Sequence, residues 1–458
     1  MRGDRADWLS PSEALRRIVS AVAPMGVETR PLLGALGRVL AEDVAARADL
    51  PPWDNSAMDG FAVRSEDVRG ASAGSPVILQ VVDDIPAGSF PSRALERGEA
   101  ARIMTGAPVP RGADGVVRVE HTDGGSAIGT AEGCVTIVSD ADAGKNVRPR
   151  GEDVRAGQTV LRAGTVLRAP HLGVAASLGC ARLPVHRRPV VAIATSGDEL
   201  VDVDGFDQVL AGRKIVNGNS YALAAQVAES GMEARILGIA RDTPESLRRV
   251  IEGARGCDAL VTSAGISVGE HDHVREVMDA LETEVEFWRV KIKPGSALAF
   301  GRVGGLGGIP WFGLPGNPVS TMVTFELFVR PALLRMCGHA RIYAPRVDAI
   351  AREPFSARGE LLLVPRLRLE SVDGEMYASS TGAQGSGVGS SMAAADALGI
   401  FPAGAEVRAG DRMRAVLLGG APLVDEPYFW RSETRLTADG TSAPGLERSS
   451  PRASSPGA

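Results

Sequence analysis

The sequence predicts a multidomain α/β-plus-β protein, and three observations carry that prediction. Between residues 187 and 336, apolar runs of strand length alternate with stretches of helical periodicity, the pattern of a doubly wound sheet of parallel strands with helices on both faces. From about residue 61 to 147, and again beyond Pro345, the chain breaks into short β-like runs punctuated by Gly, Pro and Asp. Its 458 residues exceed what one ordinary hydrophobic core accommodates and suit two to four domains.

In chain order, Ser10 with Glu13 three residues later forms a capping box, and Pro11 fits the first helical position. Leu15, Ile18, Val19 and Val22 then mark one apolar helical face. A second helix is expected through "LLGALGRVLAEDV", ahead of the proline-rich "LPPWDNSAMDGFAV". "SPVILQVVDDI", "EAARIM", "GVVRVEHT" and "GCVTIVS" read as strands of a β domain over 55–147. This domain is inserted between the halves, 8–54 and 148–186, of a split, partly helical domain whose second half ends on the Ala-rich helix of "RAPHLGVAASLGC". An α/β domain over 187–338 follows. Its strands are "PVVAIATSG", "EARILGIARD", "DALVTSAG" and "PWFGL"; its helices are "SYALAAQVAES", "TPESLRRVIEGA", "HDHVREVMDALE" and "PVSTMVTFELFVRPALLRM". "DAIARE", "LLLVPRLRLE", "MYASS" and "EVRAGDRMRAVLL" predict a C-terminal β domain over 342–420, and the Ser/Pro/Gly-rich 432–458 reads as a disordered tail.

Composition excludes several classes. Fifty basic against 56 acidic residues give a formal net charge of -6, which offers no electrostatic case for nucleic acid. No apolar run reaches the roughly 18 residues that span a bilayer. The opening "MRGDRADWLSPSEA" lacks the apolar core of a signal peptide, so a cytoplasmic protein without a membrane partner is expected. Cys134, Cys180, Cys257 and Cys337 lie far apart without CxxC pairing and read as buried reduced thiols.

In an open parallel sheet, ligands bind outside the carboxyl ends of the strands. Here those ends carry Asp198 and Glu199, Asp242, Gly265 with Asp272 soon after, and the Gly-Pro loop of "GLPGNPVS". If Glu199, Asp242 and Asp272 converge, their repulsion, about 4 kcal/mol per pair at 4 Å and an effective dielectric near 20, calls for a cation. Oxygen ligands that leave room for water and a substrate phosphate are the Mg²⁺ pattern. Spacing alone favours three solvated loop carboxylates or helix caps. "GLPGNPVS" supplies positive potential: Pro315 and Pro318 shape the loop, Gly316 admits close approach, and Asn317 to Ser320 open a helix with unpaired N–H groups. The segment "SAGISVG", with Gly265 and Ser267, can act likewise, and Lys293 of "KIKPG" is a plausible anion partner. Each of these also has an ordinary structural reading, as a turn or a solvated lysine. His271 and His273 stand two residues apart at a helix start, about 200° around the axis, and cannot grip one metal.

The motifs together resemble a known family. "PPWDNSAMDGFAVR", "RIMTGAPVPRGAD", "RGEDV", "TSGDEL", "SAGISVGEHD", "KPG", "GLPGNPVS" and "TGAQGSG" stand in the order of the MoeA family, the molybdopterin molybdenumtransferases related to the gephyrin and plant Cnx E domains. The resemblance runs from about residue 8 to 420. It implies four domains, including a molybdopterin-binding α/β domain and a C-terminal β-barrel-like domain. It also implies a homodimer whose cleft draws on both subunits. The implied reaction inserts molybdate into adenylylated molybdopterin with release of AMP, with Mg²⁺ as cofactor. Carried over by motif, Asp59, Asp242 and Asp272 are catalytic, and Glu199, Asp242 and Asp272 hold the metal. Thr105, Asp153, Gly265, Ser267, Lys293, Pro315, Gly316, Asn317, Pro318, Ser320, Arg366 and Ser386 contact substrate. Ser296 and Ala297 replace a Lys-Pro pair often found after "KPG", and Arg289 replaces a lysine often found after "FW". Loss of a lysine near an oxyanion leaves open a specialised paralogue using tungstate, and the resemblance to the gephyrin E domain, which also anchors partner proteins, leaves open a non-catalytic molybdopterin-binding scaffold.

Overall fold

The computed structural model describes residues 8–123, 133–264 and 273–419. The chain divides into two compact units. One runs to Tyr343 and takes in Glu360–Leu362 and Gly385–Gly387; the other holds Ala344–Gly359, Leu363–Gln384 and the residues from Val388 onward.

The first unit opens with the helix Pro11–Ser20, whose cap is Ser10, its side chain accepting from the Glu13 N–H. Only half of the expected capping box forms. The Glu13 carboxylate turns away to Arg16 and Arg17, at 2.7 to 2.8 Å, and those hydrogen bonds, Arg16's first, hold it down to about pKa 2. The second expected helix is absent. "LLGALGRVLAEDV" contains only a 3-10 turn, Leu33–Ala35, and the short strand Val44–Ala45. Gly37 takes φ +69° and stops the helix, while Val39 and Leu40 bridge to Val166 and Val185 as extended chain. Leu33 and Leu36 are left exposed, so their helical spacing never became a buried face.

A five-stranded sheet follows, built from Gly60–Val63, Val77–Ile85, Glu99–Ile103, Gly115–Arg118 and Cys134–Ile137. Phe61, Val63, Leu79, Ala100, Val117 and Ile137 pack on one face of it, and Ala62, Ala101, Ile103 and Val116 on the other, the period-two alternation of a strand.

The α/β region contains β1 (Val190–Ser196), α1 (Gly218–Glu229), β2 (Glu233–Ala240), α2 (Pro244–Glu252) and β3 (Ala259–Ser263). It continues with α3 (His273–Ala280), β4 (Thr283–Phe287), β5 (Ala299–Val303), β6 (Ile309–Leu314) and α4 (Pro318–Thr324), the last running on through Phe325–Val329 and Arg330–Met336. The sheet order is β2-β1-β3-β6-β5-β4. The first four strands are parallel, as expected; β5 and β4 extend the edge antiparallel, which the sequence reading did not anticipate. Ala192, Ala194, Leu260 and Trp311 pack with Leu247 and Ile251 of α2 and Val274, Val277 and Met278 of α3. Fully burying each large aliphatic chain there stabilises by about 1.5–3 kcal/mol. Thr243 caps α2 by accepting from the Ser246 N–H, with Pro244 in the first turn.

The second unit is a closed five-stranded barrel of Arg346–Ala351, Glu375–Ser380, Arg366–Val372, Ala397–Gly399 and Arg412–Leu417. Its interior is dominated by small side chains, Ala349, Ala351, Ala378, Ala397 and Ala415, around Leu367 and Met413, which lets so few strands close. All four cysteines are free; Cys257 and Cys337 are buried, whereas Cys134 is exposed and Cys180 half-buried, contrary to the expectation of four buried thiols. Burial pushes the Cys257 and Cys337 thiols up, which keeps them protonated. The expected tail, 432–458, lies outside the described residues.

Candidate active site

A cleft of about 550 Å³ opens at the carboxyl ends of the parallel strands, where the topology of an open α/β sheet places ligands. Thr195 comes from the end of β1, Glu199 and Leu200 from the turn after it, and Ser263 and Ala264 from the end of β3. Pro315, Gly316, Asn317 and Pro318 link β6 to α4, and Ala297 precedes β5. Ile215, Val216, Asn217, Gly218 and Asn219 lead into α1 and complete the wall.

A polar network sets these strand ends against one another. Asn217 caps α1, its Oδ1 accepting from the Ser220 N–H at 3.3 Å, while its Nδ2 donates to Thr195 Oγ1 at 2.9 Å and Ser220 Oγ at 2.8 Å. Asn219 Nδ2 donates to Ser263 Oγ at 2.9 Å and to the Gly316 carbonyl at 2.7 Å. Ser263 Oγ passes a bond to the Pro315 carbonyl at 3.1 Å, and Thr321 Oγ1 donates to the same oxygen at 2.5 Å. The end of β3 and the loop after β6 are thus fixed to the start of α1 before any ligand arrives. Two helix starts, those of α1 and α4, face one cleft and bring the positive end of the helix dipole to it, although the Ser220 N–H is taken by Asn217 and Pro318 has none to give.

Among the described residues lining the cleft, Glu199 is the sole ionisable one. Its carboxylate folds over Gly197, where a Cβ would lie 2.5 Å from Oε2 and where φ is +150°. Asp242 stands beside this turn, its Oδ2 accepting from the Asp198 N–H at 3.1 Å. Arg241 lies 3.7 Å from the Asp198 carboxylate, and Lys214 donates to the Asp198 carbonyl. Asp198 and Asp242 therefore form a rim partly offset by cations, with Glu199 as its member inside the cleft. Asp272, Gly265, Ser267 and His271 lie outside the described residues, and no group of three His, Cys, Asp or Glu side chains that could hold a metal occurs among the described ones. His273 opens α3 with Glu276 one turn on, 3.8 Å away.

The other sequence-derived residues are dispersed. Ser320 is buried inside α4 and its carbonyl accepts from Thr324 Oγ1. Lys293 is exposed, two residues before Gly295, whose backbone packs against Thr324. Asp59 Oδ1 accepts from the Thr105 N–H and hydroxyl, both at 2.7 Å, and the N–H first, then the hydroxyl, lower the carboxyl pKa. Asp153 is exposed, with its N–H on the Leu50 carbonyl. The Ser386 carbonyl accepts from the Val319 N–H at the start of α4. Arg366, in the barrel unit, is 1% exposed; it donates to Ser391 Oγ and the Ala383 carbonyl, and burial lowers its pKa. Sequence reasoning missed Asn217, Gly218 and Asn219, and with them Thr195 of β1 and Ser263 and Ala264 at the end of β3. An asparagine cap ahead of the helical pattern "SYALAAQVAES" was the available signal for the first three.

Comparison with known proteins agrees with this geometry. Residues 9–179 match the MoeA N-terminal region (domain I and II), 192–335 a probable molybdopterin binding domain, and 348–418 the MoeA C-terminal region (domain IV). The molybdopterin molybdenumtransferase of Nostoc sp. is 37% identical over 376 residues, covering 81% of this chain and 84% of that protein. Molybdopterin molybdenumtransferase 2 of Mycobacterium tuberculosis is 41% identical over 328 residues, covering 70% and 78%. The solved molybdopterin biosynthesis moeA protein of Pyrococcus horikoshii OT3 superimposes with a TM-score of 0.76 at 28% identity, covering 90% of this chain and 100% of that one. Sequence, fold and cleft converge on one assignment: the chain belongs to the MoeA family of molybdenum cofactor biosynthesis, the family of the molybdopterin molybdenumtransferases.

Proposed function

We propose that this chain is a molybdopterin molybdenumtransferase that inserts molybdate into adenylylated molybdopterin, with cleavage of the phosphoanhydride and release of AMP. The observation that carries this reading is the cleft itself, where the starts of α1 and α4 face one carboxylate across a neutral wall whose two amide side chains are already bonded into the strand ends and loop they hold. Such a wall binds phosphate oxygens and an oxyanion without a nucleophile, so catalysis rests on positioning and electrostatics. The starts of α1 and α4 take the anionic groups, and the fixed loops of Pro315–Pro318 and Ser263–Ala264 orient them.

The reading includes a Mg²⁺ cofactor. Glu199 and Asp242 are oxygen donors on one rim, which fits a cation held by one or two carboxylates plus substrate phosphate; Asp272 completes the set that the motifs suggest. Bound Mg²⁺ would supply charge neutralisation on the phosphoanhydride oxygens. Asp59, Thr105 and Asp153 are proposed to act in the cleft of a homodimer, Lys293, Ser320, Arg366 and Ser386 on the oxyanion and substrate. The cytoplasm is the proposed compartment; no helix among the described residues is long and apolar enough to cross a membrane.

With adenylylated molybdopterin, molybdate and Mg²⁺, the purified chain should release AMP, and Asp242→Ala and Glu199→Ala should each slow that release at least tenfold. Undiminished release in both variants, or without divalent cation, contradicts the cation assignment. A second reading, tungstate as the preferred oxyanion, draws on Ser296, which stands where a lysine is often found and precedes Ala297 of the cleft wall. Faster AMP release with tungstate than with molybdate in the same assay would favour it.

A further inference from the structure

The end of β3 holds a conformation that its residue type disfavours. Ala264 takes φ +77°, in the left-handed region. There the Cβ of an L-residue crowds the following carbonyl, at a cost of roughly 5- to 30-fold in the folding equilibrium. The turn is anchored, because the Ala264 N–H donates to the Leu314 carbonyl of β6 at 3.2 Å. Asn146, Glu282 and Asp373 also have positive φ, but among these four described residues Ala264 is the one lining the cleft.

The Ala264 methyl faces the glycine of the neighbouring loop. A Cβ added at Gly316 would lie 3.2 Å from the Ala264 Cβ and 3.5 Å from its Cα, tighter than ordinary van der Waals contact for the first. Gly316 is not in the left-handed region, so what requires glycine there is the close approach rather than a backbone angle. One wall therefore carries a methyl at a strained position, and the facing wall has none at an unstrained one. Strain that a glycine would relieve, kept at a cleft, marks a residue whose side chain is used.

We propose that Ala264 is a specificity-determining residue of this cleft: its methyl, packed against Gly316, fixes how closely the end of β3 and the loop after β6 approach, and so the shape of the wall that the ligand meets. This rests on the molybdopterin reading above. One methyl more or less in a closely fitted wall discriminates by about tenfold.

The test compares the full-length wild type with Ala264→Gly, Gly316→Ala and the double variant. Thermal unfolding is measured without ligand, and molybdopterin affinity by titration. Ala264→Gly should unfold at a higher temperature yet bind molybdopterin about tenfold more weakly. Gly316→Ala should bind more weakly because the two methyls crowd. The double variant moves the methyl to the opposite wall, so it should keep the gain in stability and recover affinity relative to either single variant. Ala264→Gly matching or exceeding wild-type affinity, or unfolding no higher than wild type, overturns the proposal; so does a double variant that binds no better than the singles. A wild type that fails to bind molybdopterin contradicts the functional reading first, and the proposal with it.

Discussion

Asp59 and Thr105 meet across 46 positions because their strands do. Gly60–Val63 and Glu99–Ile103 pair antiparallel with Gly60 opposite Ile103, so the residue before one strand and the turn after the other share an edge. Family motifs point to both residues, but only the register explains why a carboxylate and a hydroxyl in separate motifs touch. The contact lowers the Asp59 pKa, by the Thr105 N–H first and its hydroxyl second. A depressed carboxyl pKa contributes stability above the ordinary value of about 3.9 and loses it as pH falls through the folded value. Thr105→Val removes the hydroxyl donor and should raise the Asp59 pKa, read by carboxyl-carbon NMR titration; an unchanged pKa would mean the hydroxyl bond does not form in solution. Arg366, which the motifs place on substrate, is held within the barrel unit by its bonds to Ser391 Oγ and the Ala383 carbonyl.

Elements with unambiguous periodicity were legible, and those governed by single glycines were not. The strands and helices of the α/β region follow from alternation of apolar runs with amphipathic stretches, because burial on both faces of a sheet demands it. The stretch 32–44 has helical spacing too, but Gly37 at φ +69° and the bridges of Val39 and Leu40 outweigh it. The β5–β6 hairpin carries a plain turn signal, "GGLGG"; reading the neighbourhood as a purely parallel sheet obscured it. Glycine also sets the join between the "KPG" segment and α4. At Gly295 φ is +104°, and a Cβ would lie 2.4 Å from Thr324 Cγ2. Gly295→Ala should therefore destabilise by about 1–3 kcal/mol in denaturant unfolding. The same change in a Thr324→Ser background, which lacks that methyl, should cost less; equal costs would mean that backbone strain alone is responsible.

For the whole molecule, the architecture places the cleft and the cleft limits the chemistry. Parallel strands bring the turns after β1 and β6 and the end of β3 to one rim, and the crossovers aim the starts of α1 and α4 into it. The position of that rim was legible from the order of strands and helices alone. The amide wall of Asn217 and Asn219 was not, because asparagine before a helix ordinarily does no more than cap it. The lining sets two helix starts against a single described carboxylate, an arrangement suited to holding anions rather than to covalent catalysis. The most direct test of that account is a single-turnover reaction of the purified chain with adenylylated molybdopterin, molybdate and Mg²⁺, counting AMP released against molybdenum bound to the dithiolene. The account predicts one AMP for each molybdenum inserted, both requiring Mg²⁺. Molybdenum insertion without AMP, or AMP release at full rate without molybdate, would contradict it.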